Sequence, residues 1–406
     1  MSELLEVTEA LQKVLQHAAP LPAVERDLPK ALHEILAAPV ISDIDSPPYD
    51  KSMMDGYAVR SNDVPAIGTT LPVCQRILAG MMPSGELHVG TAAQIMTGAP
   101  IPPGCEAVIM VERTVSDAAD RVTLNEVPRP GQNIIRCAAS IAVGQKVLEA
   151  GEPMTSARIG LCAEVGAAKV LVHRQPRVAI LSTGDELVDF AQRPGPSQIR
   201  NSNSLLLAAA VQVSRCETVS LGIVRDEPAA LRAAIERGLE SDVLILSGGV
   251  SAGVLDLVPA TLQVLGVIPV FHKIRMKPGK PLWFGYIPRA SEPPRLVFGL
   301  PGNPVSSAVC FELFVKPALR RLRGETVPYE QQFQQARLAN DVKHRSDRPT
   351  YVPAIWEHVQ AGQSVRTLPW GGSADLNGFA RYECLVLFPP GEQIYQAGEL
   401  VQVLVN

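Results

Sequence analysis

No Cys-x-x-Cys or His-Glu-x-x-His spacing occurs in this sequence, and its seven cysteines (Cys74, Cys105, Cys137, Cys162, Cys216, Cys310, Cys384) are odd in number and widely spaced. Neither a zinc site nor a disulfide framework is expected, and each thiol reads as a small buried hydrophobe. No apolar run approaches the roughly 18 residues that cross a bilayer. The first residues carry Glu3, Glu6 and Glu9, with Leu4, Leu5, Leu11, Val14 and Leu15 near helical spacing, which is an amphipathic helix and not a secretory signal. A soluble, reducing, cytoplasmic setting without a membrane partner is the expectation. Positive charge is also lacking: 37 Lys and Arg face 41 Asp and Glu, a formal net charge of -4 with a pI near 6.0. That balance gives no general attraction to nucleic acid, so any anionic ligand must be held locally. The Gly-x-Ser-x-Gly elbow, the Walker A loop and the Gly-x-Gly-x-x-Gly fingerprint are missing, and the seven histidines are scattered.

What is present divides the chain. At 406 residues it exceeds one hydrophobic core, and 46% hydrophobic against 19% charged residues, with 35 prolines and 31 glycines, describes a folded protein rich in turns. Residues 1–44 read as helices. Residues 45–140 carry short alternating runs such as Leu71 to Ile77 and Ala107 to Val111 between Pro-Gly clusters, the texture of an antiparallel β domain. Residues 141–175 return to helix, with Thr155 as an N-cap, so the β part reads as an insertion into a helical domain. Residues 176–325 alternate strands (Val178 to Leu181, Thr218 to Val224, Val243 to Leu246, Val297 to Gly299) with helices near Ser204 to Gln212, Pro228 to Leu239 and Val305 to Leu322. After a Gln-rich connector, residues 330–406 read as a small β domain.

Ligands of open α/β sheets bind outside the carboxyl ends of the strands. Four loops fall there: Ser182-Thr183-Gly184-Asp185-Glu186, Arg225-Asp226-Glu227, Ser247-Gly248-Gly249-Val250-Ser251 running on to Asp256, and Leu300-Pro301-Gly302-Asn303-Pro304. Glycines and backbone N–H groups suit phosphate, and clustered carboxylates suit a divalent cation. Two carboxylates about 6 Å apart repel by roughly 3 kcal/mol at an effective dielectric near 20, which a bound cation relieves. Oxygen donors favour Mg²⁺ over zinc, so Glu186, Asp226 and Asp256 are the candidate metal ligands. Asp185 reads equally well as a helix cap. Lys273, Lys277 and Lys280 flank the stiff Pro278-Gly279 and Pro281 turn and suit a bridging anion, or else form a solvated basic loop.

With these residues in hand, the chain resembles the molybdopterin molybdenumtransferases, whose eukaryotic members include the gephyrin E domain. The matching strings are Ser52-Met53-Met54-Asp55-Gly56-Tyr57-Ala58, Ile95-Met96-Thr97-Gly98-Ala99, Leu181 to Leu187, Ser247 to Ser251, Met276-Lys277-Pro278-Gly279-Lys280-Pro281, Gly299 to Ser306 and Gly372-Ser373-Ala374-Asp375-Leu376. The resemblance spans nearly the whole chain, in order.

It implies a multidomain α/β plus β protein: a helical N-terminal domain with an inserted β domain, a central α/β domain of the molybdopterin-binding type and a C-terminal β-barrel, assembled as an elongated homodimer. It also implies insertion of molybdenum from molybdate into adenylylated molybdopterin, with Mg²⁺ as cofactor and release of AMP. Transient contacts with a molybdopterin adenylyltransferase and with apo-molybdoenzymes go with that role. Carried over position by position, Asp55, Thr97, Glu186, Asp226, Asp256, Lys277 and Lys280 form the catalytic set. Ser182, Thr183, Gly184, Gly248, Gly249, Ser251, Lys273, Pro301, Gly302, Asn303, Arg348 and Ser373 form the substrate-binding set. Two places depart from the family pattern: where Asn-Ile-Arg-x-x-Gly and two acids are usual, this chain reads Asn133-Ile134-Ile135-Arg136-Cys137-Ala138-Ala139-Ser140, and Leu257 stands where an aromatic residue commonly follows the Asp256 position. A weakened molybdopterin-binding scaffold is the alternative that the first departure suggests. A molybdopterin adenylyltransferase is a more distant one, because its loop reads Thr-Gly-Gly-Thr-Gly where this chain has Ser247 to Ser251.

Overall fold

Val7, Ala10, Leu11 and Val14 recur at helical spacing and are all buried, which makes Val7–His17 the first helix, α1. The computed structural model describes residues 4–117, 120–249, 257–326, 333–359 and 362–405. The apolar stripe of α1 joins Phe284, Phe298 and Phe314 in the largest core cluster, and His17 stacks on Tyr286 with ring centroids 3.9 Å apart. The expectation of further helices in residues 1–44 is corrected here. Pro20 and Pro22 stop the helical pattern, and Ala23–Asp27 is a strand paired antiparallel with Lys169–His173. The second segment likewise holds one helix, α2 (Ser156–Glu164), whose N-cap Thr155 accepts from the Arg158 N–H as expected. Alternation in Lys169-Val170-Leu171-Val172-His173 turns the rest toward strand, with Val170 and Val172 buried.

Between these pieces lies a six-stranded sheet, in the order Ala107–Met110, Gly56–Val59, Ala92–Ile95, Thr69–Ile77, Arg121–Leu124, Thr114–Ser116. The chain enters and leaves it through a two-stranded ladder. Val40–Ile41 pairs with Lys146–Leu148, Ser46 bridges Ile141, and Lys51–Ser52 pairs with Ile134–Ile135.

The central sheet has six strands, β1 (Arg177–Thr183), β2 (Glu217–Val224), β3 (Val243–Ser247), β4 (Ile268–His272), β5 (Trp283–Ile287) and β6 (Arg295–Leu300), in the order β2-β1-β3-β6-β5-β4. β1, β2, β3 and β6 are parallel, whereas β5 is antiparallel to both β6 and β4. Val178 to Thr183 are all buried, the continuous run that a strand covered on both faces requires. Helices α3 (Ser202–Val213), α4 (Pro228–Gly238), α5 (Leu257–Val264), α6 (Pro304–Cys310) and α7 (Lys316–Leu322) cover it. The expected single helix from Val305 to Leu322 is instead α6, a π turn over Phe311–Val315, then α7. Pro317, which has no N–H to give the preceding turn, accounts for the interruption. At the amino edge of the sheet, Asp242 accepts from Arg174 at 2.6 and 2.7 Å, from Arg289 at 3.0 Å and from the Arg177 N–H at 2.9 Å.

The C-terminal domain is a closed barrel of Phe333–Leu338, Gly362–Thr367, Thr350–Val359, Cys384–Phe388 and Leu400–Val405. Val352, Val386, Phe388 and Val403 fill it.

Candidate functional site

β1 lies between β2 and β3, so the chain reverses its winding direction between β1 and β3, and the crevice at their carboxyl ends is where an open α/β sheet takes a ligand. Thr183 ends β1 and Ser247 ends β3. Behind Ser247 the backbone turns through Gly248 and Gly249 at φ +93° and +64°. A Cβ on Gly248 would lie 2.5 Å from the Thr183 carbonyl oxygen, and one on Gly249 2.6 Å from Thr183 Oγ1. Only glycine lets this turn close on β1. Thr183 Oγ1 is buried there without a hydrogen-bond partner among the described residues. Gly184, at φ +145°, lies under the Glu186 side chain, whose Oε2 would be 2.6 Å from a Cβ on that glycine. Asp185 and Glu186 are exposed, and the Asp226 N–H donates to Asp185 Oδ1 at 3.4 Å, which draws the β1 and β2 loops together.

The first turn of α3 ties three strand ends to one another. Asn201 Oδ1 accepts from Ser182 Oγ and from the Ser204 N–H, each at 3.2 Å. Asn203 Nδ2 donates to Ser247 Oγ and to the Gly302 carbonyl, each at 2.8 Å. Pro301 is held by Ser307 Oγ, which donates to its carbonyl. Asn303 Nδ2 then donates to Ser373 Oγ at 2.9 Å, and the Val305 N–H to the Ser373 carbonyl at 3.1 Å, docking the C-terminal domain on the β6 loop. Because Ser373 Oγ accepts here, its own proton remains to be offered to a ligand oxygen.

The lysine turn reaches the same edge from β4, which runs parallel to β6 because both are antiparallel to β5. Lys273, at φ +71°, donates its N–H to the Leu282 carbonyl, and Ile274 donates to the Lys280 carbonyl, closing the turn. The Lys277 N–H donates to the Pro349 carbonyl and its own carbonyl accepts from Tyr351, which sets Arg348 beside it. Arg348 Nε pairs with Asp347 at 3.1 Å, and this guanidinium holds the Asp347 carboxyl below its usual range. Among the described residues none of the three lysine ammonium groups has a carboxylate partner, whereas Lys13, Lys30, Lys146, Lys169 and Lys316 each have one. Burial lowers the pKa of His344, opposed by its hydrogen bond to the Pro389 carbonyl and assisted by the positive charge of Lys277.

Asp55 and Thr97 form a unit of their own on the inserted domain. Asp55 Oδ1 accepts from the Thr97 N–H at 2.7 Å and from Thr97 Oγ1 at 2.8 Å. Those two donors, the backbone one first, lower the Asp55 pKa, and both side chains are exposed. Among the described residues, no hydrogen bond or ion pair of either side chain reaches the α/β edge of the same chain. Ser251 and Asp256 lie outside the described residues. Among the described residues no group of three or more His, Cys, Asp or Glu side chains converges as a metal cage.

Reasoning from sequence missed Asn201 and Asn203, although Asn201-Ser202-Asn203-Ser204 ahead of an apolar run is a capping signature. It also missed Asp50. In the departing loop Arg136 is anchored by Asp50 Oδ2 at 2.6 Å, while Asp50 Oδ1 accepts from the Cys137 N–H at 2.8 Å. The Cys137 N–H, ahead of Arg136, lowers the Asp50 pKa. Ala138 sits at φ +59°, a left-handed conformation.

Three family models match successive stretches of the chain: "MoeA N-terminal region (domain I and II)" over residues 5–166, "Probable molybdopterin binding domain" over residues 179–321 and "MoeA C-terminal region (domain IV)" over residues 335–405. A molybdopterin molybdenumtransferase of Nostoc sp. is 37% identical over 390 residues, covering 93% of this chain and 87% of the relative. One of Haemophilus influenzae is 34% identical over 404 residues, covering 98% of each. Among solved structures, a molybdopterin biosynthesis MoeA protein from Pyrococcus horikosii is similar over 99% of each chain, with a TM-score of 0.84 and 30% identity.

Proposed function

Because the chain belongs to the molybdopterin molybdenumtransferase family and serves molybdenum cofactor biosynthesis, we propose that its α/β edge inserts molybdenum from molybdate into adenylylated molybdopterin and releases AMP. The observation that carries this reading is that the Gly248-Gly249 turn, the Pro301–Asn303 loop with Ser373, and a lysine turn free of carboxylate partners among the described residues all lie at the carboxyl edge of one sheet. Together they provide an anion site with two kinds of donor.

Molybdate is a tetrahedral dianion. Lys277, Lys280 and Arg348 supply its countercharge, and Ser373 supplies a directed hydroxyl. Lys273 serves the pterin phosphate. The backbone N–H groups of the Gly248-Gly249 turn, brought close by the absence of side chains, suit the phosphoanhydride. That bond opens by addition of one water across P–O: AMP leaves with one phosphate and the pterin keeps the other. Glu186 and Asp226, with Asp256, are the hard oxygen donors that would hold Mg²⁺. They fit its habit of taking one or two carboxylates and completing its shell with phosphates and water. Bound there, Mg²⁺ would withdraw negative charge from the phosphoanhydride oxygens. Asp55 and Thr97, which no side-chain bond among the described residues ties to this edge within one chain, belong in this reading to the cleft of a second subunit, so the working unit is a homodimer. Supply of the pterin by a molybdopterin adenylyltransferase and delivery to apo-molybdoenzymes follow from the same role.

The deciding experiment is molybdate-dependent reconstitution of an apo-molybdoenzyme from adenylylated molybdopterin, with AMP measured alongside. AMP and reconstituted activity should appear together and require Mg²⁺. Loss of the divalent-metal dependence would remove the metal assignment, and absence of AMP would remove the reaction. Calorimetry with Asp226→Asn tests the metal ligand directly: weaker Mg²⁺ binding in the presence of the pterin is expected.

A further inference from the structure

Asn203 is 8% exposed, its Nδ2 makes two hydrogen bonds of 2.8 Å, and its Oδ1 is buried with no partner among the described residues. The orientation of the amide is forced. The Gly302 carbonyl can only accept, so the nitrogen must face it, and Ser247 Oγ takes the second proton of the same nitrogen. The oxygen is thereby left without a donor in the interior. The sheet already pairs Ser247 with Leu300, and the Gly248 N–H donates to the Leu300 carbonyl; Asn203 adds the tie beyond that pair, from Gly302 back to Ser247, and both lead straight into the site: Ser247 into the Gly248-Gly249 turn, Gly302 into Asn303. From Asn303 the connection continues by a 2.9 Å bond to Ser373.

We propose that Asn203 is a positioning residue: by holding the Gly302 carbonyl against the β3 turn it sets where Ser373 of the C-terminal domain meets the oxyanion. The residue touches no substrate itself and acts through Gly302, Asn303 and Ser373. This inference rests on the reading of Ser373 as a molybdate donor.

Asn203→Asp is the diagnostic change. It keeps the volume, and Ser247 can turn its hydroxyl to donate to the new carboxylate, but nothing at position 203 then donates to the Gly302 carbonyl. The measurement is KM for molybdate in the insertion reaction of the full chain, with turnover normalised to pterin-binding sites; Ser373→Ala is run beside it. Loss of one well-placed donor corresponds to about tenfold in affinity. KM should rise about tenfold in Ser373→Ala and by the same order in Asn203→Asp, with no further rise in the double variant and with pterin affinity kept within about twofold. A variant that was merely less stable would lower the number of active sites and leave KM where it was. An unchanged KM in Ser373→Ala overturns the molybdate reading of that serine; a raised KM there beside an unchanged KM in Asn203→Asp overturns the role of Asn203 alone. Should Asn203→Asp fail to fold, Asn203→Leu, which has a similar shape and donates to neither acceptor, is read by the same criterion.

Discussion

Replacing Gly248 by alanine tests whether the close approach of the β3 turn to β1 is what prepares the site. The new Cβ would lie 2.5 Å from the Thr183 carbonyl oxygen, where ordinary contact begins at 3.4 Å, so about 0.9 Å must be found. Strand β1 cannot yield it, because Thr183 is paired with Val224 on one side and Ser182 with Ser247 on the other. The turn must move instead. A displacement of about 1 Å at a positioning loop costs on the order of 100-fold in rate, and an alanine at φ +93° adds about 1 to 3 kcal/mol of backbone strain. Gly222, in β2, supplies the control: it has φ +78° and nothing within 4 Å of its would-be Cβ. Gly222→Ala should cost about 1 to 2 kcal/mol of stability from the backbone term alone and leave the rate untouched. The assay is the initial rate of molybdate-dependent cofactor formation at saturating pterin, beside thermal unfolding of both variants. If Gly248→Ala keeps a rate within about threefold of the parent, or if Gly222→Ala loses as much, backbone approach at Thr183 does not set the chemistry.

Burial pushes the Asp242 carboxyl up, but donors from Arg174, Arg177 and Arg289 outweigh it and bring its pKa to about 2 from 3.8. That depression is worth about 2 kcal/mol above pH ~4 and is lost as pH falls from about 4 toward 2; acid unfolding of Asp242→Asn should lack this component and start from a lower plateau. Mixing inactive Asp55→Ala with inactive Lys277→Ala should recover activity in heterodimers, and sedimentation of a monomer at micromolar concentration would end the two-subunit reading. Ala138→Gly should stabilise the protein slightly, by about 0.5 to 1 kcal/mol, because relief of roughly 1 to 2 kcal/mol at φ +59° exceeds the extra unfolded-state entropy of glycine; urea midpoints check the sign. Ala139→Glu with Ser140→Asp should raise turnover modestly or leave it unchanged, since Arg136 already has Asp50 to orient it.

The strand ends of the central sheet were legible because β-branched runs followed by Gly, Ser and acids carry their meaning locally: Leu181 to Glu186 and Ser247 to Gly249 read the same in one dimension as in three. The helix cap at Thr155 was legible for the same reason. Asn203 was not, since its partners stand 44 and 99 positions away and neither Ser247 nor Gly302 names it. Strands β4 and β5 escaped notice because Pro269 and the intervening lysine turn break the alternation that marks a strand. The placement of α1 on the central core was hidden too. An amphipathic stripe announces that a face will be buried, not which of two neighbouring cores will bury it. The pairing of Arg136 with Asp50, 86 positions apart, shows how a loop that reads as having lost its acids keeps its arginine anchored from outside the motif.

The two-stranded ladder from Val40 to Ser52, matched by Ile134 to Leu148, is the structural stem of the inserted domain. Mechanically it is a lever. Its span from Ile41 to Ser52 is at most about 35 Å at ~3.3 Å per residue, so a flexure of about 5° at its base carries the tip by about 3 Å, the length of one hydrogen bond. The Asp55 and Thr97 pair sits just beyond that tip, locked to itself by two bonds and so moved as one piece. In the two-subunit reading proposed above, a small change of angle near Ile41 would move this pair relative to the partner's cleft with no side chain at the tip having to change rotamer.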